Sequence, residues 1–185
     1  MTVRQLRQAL LLTVAALLAV GTVAVYSSSA VVSESFYGDS HRFLWHHLTA
    51  VACGLAAAAG CLMLPRGALR LAAPWLILVS VAALIAVWCF GQEIGGAKRW
   101  FRLGPWGFQP SEFAQLALVV YLADFLARRS VQMHEFWRGI VPPLTVTAVL
   151  AVLVLVQPDL GSAFSMAFVM LLLLAVGRAR WQHLA

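Results

Sequence analysis

Residues 95–112 read GGAKRWFRLGPWGFQPSE, and the rest of the chain is organised around them. Lys98, Arg99 and Arg102 are interleaved here with Trp100, Phe101, Trp106 and Phe108. Four glycines and two prolines forbid a regular helix through most of the stretch. Pro110 suits the first turn of a helix, with Ser111 and Glu112 behind it. The sequence therefore predicts a compact loop of aromatic and basic groups that feeds a new helix.

Apolar sequence flanks this loop on both sides. Hydrophobic residues make up 62% of the 185 residues and charged residues only 11%, against roughly 25% charged in a soluble domain. The chain is thus expected to be an all-α, polytopic transmembrane helix bundle. Six spans are read at about 9–26, 45–64, 71–90, 110–126, 142–156 and 163–176. The first follows Arg4 and Arg7, as a signal peptide would, but its length and the five later spans favour a retained helix. Residues 27–42 read as a polar connection. The second span carries Ala50, Cys53, Gly54, Ala57, Ala58 and Cys61, which at helical spacing would let neighbouring helices approach closely. Cys53, Cys61 and Cys89 show no metal or disulfide spacing and read as small buried residues. Asp124 precedes Arg128 by four residues, a helical ion-pair spacing. Residues 157–162, QPDLGS, break the last two spans, with Asp159 as the expected N-cap of the sixth. No internal repeat or linker divides the chain, so one membrane domain over 1–185 is the default.

The net charge of +6 does not point to nucleic acid, because the arginines cluster at the ends of apolar runs. Over alternate connections the thirteen Lys and Arg divide nine to four. That bias places both termini in the cytoplasm and residues 95–112 and 157–162 outside. Three of the four outside cations fall within residues 98–102, more than topology needs. Arginine and lysine beside aromatics suit a phosphate-bearing lipid or another anionic partner. An interfacial belt of headgroup contacts accounts for them equally well. Glu112 is favoured by the helix dipole and is also within sequence reach of Arg99 or Arg102. Glu112 and Asp159 both stand at outward mouths of spans, where ionisable groups tend to mark function. HExxH, CxxC, phosphate-loop, GxSxG and dinucleotide motifs are missing from the sequence. His46 and His47 are adjacent and face different sides of a helix, which disfavours a shared metal. No cofactor or metal site is expected in this chain.

Two segments carry a resemblance. GAKRWFRLGPWGFQPSEFAQLALVVYLADFLARR and, further on, QPDLGSA resemble the two hallmarks of the SEDS family of shape, elongation, division and sporulation proteins. The VYSSS and YGD…FL runs are more similar to its cell-division branch than to its elongation branch. The resemblance implies a peptidoglycan glycosyltransferase that polymerises lipid II, the undecaprenyl-pyrophosphate disaccharide, for septal wall synthesis. Implied partners are a class B penicillin-binding protein, other division proteins and membrane lipids, with no nucleic acid. The implied place is the bacterial cytoplasmic (inner) membrane at the division septum. By the same resemblance, Lys98, Arg99 and Arg102 face the pyrophosphate or neighbouring acids, and Glu112 and Asp159 match acids important to the family. The family has about ten spans, so the chain is expected to be an N-terminal part. The family's catalytic aspartate is expected beyond Ala185. No catalytic residue is assigned here, the chain alone is expected to be inactive, and a divalent cation is left open for the full enzyme. One departure is Gln115, where the family usually has lysine. The alternatives are an elongation polymerase, a flippase for the lipid-linked precursor, or a non-catalytic division scaffold.

Overall fold

The structure, a computed structural model, describes residues 3–37, 41–94, 96–103, 106–129 and 135–177. It contains helices α1 (Val3–Tyr37), α2 (Arg42–Met63), α3 (Arg66–Phe90), α4 (Pro110–Arg129), α5 (Val141–Val156) and α6 (Leu160–Val176). Three short strands, β1 (Gln92–Ile94), β2 (Ala97–Leu103) and β3 (Trp106–Phe108), lie between α3 and α4. A π-helical turn, Phe136–Ile140, leads into α5. Among the described residues five helical segments are long and apolar enough to cross a membrane, the fifth being the π-helical turn and α5 together (Phe136–Val156), and Leu160–Val176 is a shorter apolar helix. The chain is a polytopic membrane helix bundle. It divides into two compact units, Met1–Leu64 and Pro65–Ala185.

In the first unit, α1 continues through residues 27–37, where the sequence predicts a polar connection. Two serines there turn back on their own helix. Ser28 and Ser29 donate to the Val25 carbonyl at 3.3 and 2.6 Å, as Thr22 donates to Leu18 at 2.8 Å. Their hydroxyls are thereby satisfied without leaving the helix. Asp39, part of the YGD run, lies outside the described residues. α1 and α2 meet through the Tyr26–His41 ring stack, with centroids 5.6 Å apart. They also meet where His47 Nε2 lies 3.3 Å from Thr22 Oγ1. The Thr22 proton is already given to Leu18, so the imidazole N–H is the donor.

Leu44, His47 and Val51 form the half-buried face of α2, and no residue of α2 is buried. The small residues expected to pack are therefore exposed. Cys53, Cys61 and Cys89 are exposed as well. The physical reason is the solvent. Lipid tails are as apolar as a helix face, so an apolar residue in a membrane has no drive to be buried.

The core of the second unit is built from one stripe of each helix. Ala114, Leu118, Leu122 and Phe125 of α4 meet Ala163, Met166, Met170 and Leu174 of α6, with Leu84, Leu150 and Val154 completing the cluster. Steps of three and four residues keep each stripe on one helix face. Packing, rather than exclusion from water, holds it together.

In place of the predicted loop, the strands form an antiparallel meander in the order β1-β2-β3. Ile94 pairs with Ala97 across a tight turn, and Phe101, Arg102 and Leu103 pair with Phe108, Gly107 and Trp106. Gly96 in the turn has φ +79°, a conformation that side chains other than glycine's adopt at a cost. At Gly107 an added Cβ would lie 3.0 Å from the Trp100 ring. The indole thus packs close over Gly107, and a larger residue there would push the ring aside by a few tenths of an ångström. The glycines that exclude a helix are the ones that permit this small sheet.

Candidate functional site at the meander

Successive residues of a strand point to opposite faces, and in β2 this divides the cation cluster. Lys98, Trp100 and Arg102 share one face, and Arg99 and Phe101 share the other. Lys98 and Arg102 are exposed, whereas Arg99 is half-buried. Its guanidinium reaches across to the break between α5 and α6. Nε donates to the Gln157 carbonyl at 3.0 Å and Nη2 to the Pro158 carbonyl at 2.7 Å. A planar fork can serve two neighbouring carbonyls at once, which a single ammonium cannot. Glu112 lies exposed in the first turn of α4. Among the described residues it forms no ion pair with Arg99 or Arg102. The pairing that the sequence left open is replaced by a clamp on backbone oxygens.

The break is held from three further directions. Gln157 is buried, and its Nε2 donates to the Leu84 carbonyl of α3 at 3.0 Å. Asp159 caps α6 as predicted, accepting from Ser162 N at 3.2 Å. The same carboxylate accepts from Ser162 Oγ at 2.7 Å and from Gln109 Nε2 at 3.1 Å. Gln109, just before α4, also donates to Ser111 Oγ at 2.9 Å. Asp159 is only 9% exposed, so a charged carboxylate there needs such donors.

Of the predicted residues, Arg99 and Asp159 therefore share one hydrogen-bonded cluster, while Lys98, Arg102 and Glu112 stand exposed around it. Gln109 and Gln157 are members that the sequence reading did not single out. Gln157 sits at the end of an apolar run and Gln109 just before the Pro110 helix start, and each can both donate and accept, a signal available in the sequence. Gln115, on α4, has no hydrogen-bond partner among the described residues. Among those residues no group of three His, Cys, Asp or Glu side chains is placed to hold a metal. The arrangement offers an acid satisfied by neutral donors, an arginine satisfied by carbonyls, and two exposed cations flanking Trp100. Its chemical capacity is to attract and orient a large anion.

The sequence profile of the FtsW/RodA/SpoVE cell cycle proteins matches residues 7–185. The probable peptidoglycan glycosyltransferase FtsW of Hydrogenovibrio crunogenus is 34% identical over 168 residues, covering 91% of this chain and 43% of that protein. The probable peptidoglycan glycosyltransferase FtsW of Aromatoleum aromaticum is 36% identical over 181 residues, 95% of this chain and 43% of that one. Among solved structures, a chain of a peptidoglycan synthase complex, described as coordinating polymerization and crosslinking, superposes with a TM-score of 0.75. The identity is 33%, over 96% of this chain and 49% of that chain. The rod shape determining protein RodA of Thermus thermophilus gives a TM-score of 0.69 at 33% identity, over 90% of this chain and 55% of its own. The chain thus spans less than half the length of the FtsW relatives it matches.

Proposed function

Since the chain belongs to the FtsW/RodA/SpoVE family, we propose that it forms part of a peptidoglycan glycosyltransferase polymerising lipid II for septal wall synthesis. The observation that carries this reading is the division of cations by β2. Lys98 and Arg102 flank Trp100 on the face left open, while Arg99 is occupied in holding the α5–α6 break. In glycosyl transfer a sugar hydroxyl of one lipid II bonds to the anomeric carbon of another. Its proton passes to a base, and undecaprenyl pyrophosphate leaves with the bonding electrons. Cations carried side by side on the strand offset that departing charge as it forms. Trp100 adds an apolar, amphipathic surface at the same level, suited to the lipid's headgroup region. Arg99, Gln109, Gln157 and Asp159 position the sheet against the helix mouths, and Glu112 serves the α4 dipole.

The base is assigned to the part of the relatives' length that this match does not cover, so the 185 residues alone are expected to be inactive. A class B penicillin-binding protein is the proposed partner, and the bacterial cytoplasmic membrane at the septum the proposed location. The nine-to-four charge bias puts the meander on the outer side. The test is polymerisation of purified lipid II by the full-length protein. Replacing both Lys98 and Arg102 by alanine should slow chain growth about a hundredfold at unchanged protein level. Unchanged polymerisation would remove the pyrophosphate role, and lipid II translocation in vesicles without polymer would favour the flippase.

A further inference from the structure

The opposite end of the second unit carries charge that the reading above does not use. α3 opens with Arg70 near its start, and α4 closes with Asp124 and Arg128, so the antiparallel packing of the two helices brings the three together. Arg128 grips the Asp124 carboxylate with two nitrogens, Nη2 at 2.6 Å and Nε at 3.0 Å. Arg70 reaches the same carboxylate only through Nε, at 3.5 Å. Asp124 is 14% exposed and both arginines 54%. Two cations on one anion leave the cluster with a net charge of +1. Arg70 is more than half exposed, so its guanidinium has room for a further anion.

An open cleft of about 480 Å³ adjoins these arginines, lined by Gly67, Arg70, Leu71, Pro74, Trp75 and Arg128. Gly67, Leu71 and Trp75 are one helical turn apart and form its apolar wall along α3. Leu71 is 75% exposed and Trp75 63%. Pro74 stands between the wall and the arginines. Lacking an N–H, it cannot give the Arg70 carbonyl the usual helical hydrogen bond. The cleft therefore offers two guanidinium groups and an apolar ramp leading along a membrane-spanning helix.

We infer that this cleft binds the phosphate of an anionic membrane phospholipid. The phosphate oxygens pair with Arg70 and Arg128, and an acyl chain follows Leu71 and Trp75. The geometry separates this ligand from its competitors. A free phosphate would use the arginines but gain nothing from the apolar wall. A zwitterionic lipid would use the wall but carry a cation toward a cluster already positive.

Native mass spectrometry of the purified, delipidated full-length protein tests this. Phosphatidylglycerol, phosphatidylcholine and inorganic phosphate are titrated separately, and the first bound molecule is followed. Phosphatidylglycerol should bind more tightly than phosphatidylcholine, and millimolar phosphate should not displace it. Arg70→Gln should weaken phosphatidylglycerol about fivefold, and Arg70→Lys should recover most of the loss. Equal affinity for the two lipids in the unaltered protein overturns the inference without recourse to any variant. Displacement by phosphate overturns the lipid assignment, and wild-type affinity in a folded Arg70→Gln protein overturns the site.

Discussion

The two ends of the second unit are made from the same pieces, arginine and aspartate, joined in opposite ways. At the Arg70 end, Asp124 is ion-paired directly to Arg128 and, more loosely, to Arg70. At the meander end, Asp159 takes its hydrogen bonds from an amide, a hydroxyl and a glutamine, while Arg99 gives its own to carbonyls. The first arrangement pairs opposite charges directly and keeps a surplus of one cation. The second satisfies each ion with dipoles and leaves the field standing. Exposed ion pairs contribute roughly 0.2–1 kcal/mol, whereas hydrogen bonds to a charged group contribute about 1.5–3 kcal/mol. The contrast teaches that ion pairs and structural weight need not coincide. The end without a direct pair should be the more costly to disturb.

The strongest way to break the comparison is to remove Arg99. Arg99→Ala in the full-length protein strips two carbonyls of their donor and unties β2 from a segment about sixty residues away. Complementation of a depletion strain should fail, at membrane levels equal to wild type by immunoblot. Arg99→Lys should be impaired but not null, because one ammonium cannot bridge both oxygens. Normal division with alanine would reduce the meander to a set of interfacial anchors.

Asp124→Asn probes the other end and should do much less. The two arginines are half-exposed and keep their solvent, so the expected loss is about 1 kcal/mol, visible as a small drop in Tm. Lipid II polymerisation should stay within about twofold. A loss of polymerisation as deep as that of Arg99→Ala would erase the distinction between the ends.

The smallest functional effect is expected from substitutions that only report where each end lies. Phe108→Cys and Ala127→Cys, each in a protein without Cys53, Cys61 and Cys89, should both support division. They should label oppositely with a membrane-impermeant thiol reagent, Phe108→Cys from outside. Labelling of both from one side would contradict the proposed orientation.

Much of the helical architecture was legible because its signals are local. Pro110 and the Asp159 cap mark helix starts, and the Asp124–Arg128 pair follows from spacing on one face. What stayed hidden depended on distant partners or on the membrane as solvent. Arg99 finds its carbonyls 58 and 59 residues away, and no local pattern encodes that. The cysteines were misread because burial was inferred from apolarity, a rule that lipid does not enforce. The stretch after Tyr26 reads as loop when polarity is equated with exposure to water, although α1 itself satisfies Ser28 and Ser29. The meander was missed because glycine was read only as a helix breaker, while Gly96 and Gly107 serve the turn and the Trp100 contact.

The alternation along β2 carries a consequence for what this segment tolerates. A side chain here is assigned its task by parity, odd or even, before its chemistry matters. Deleting or inserting one residue between Ala97 and Leu103 would turn Lys98 or Trp100 toward the helix break and expose Arg99. Every residue type would survive, and every one would face the wrong way. The meander is therefore a counting device, more forgiving of altered letters than of an altered length.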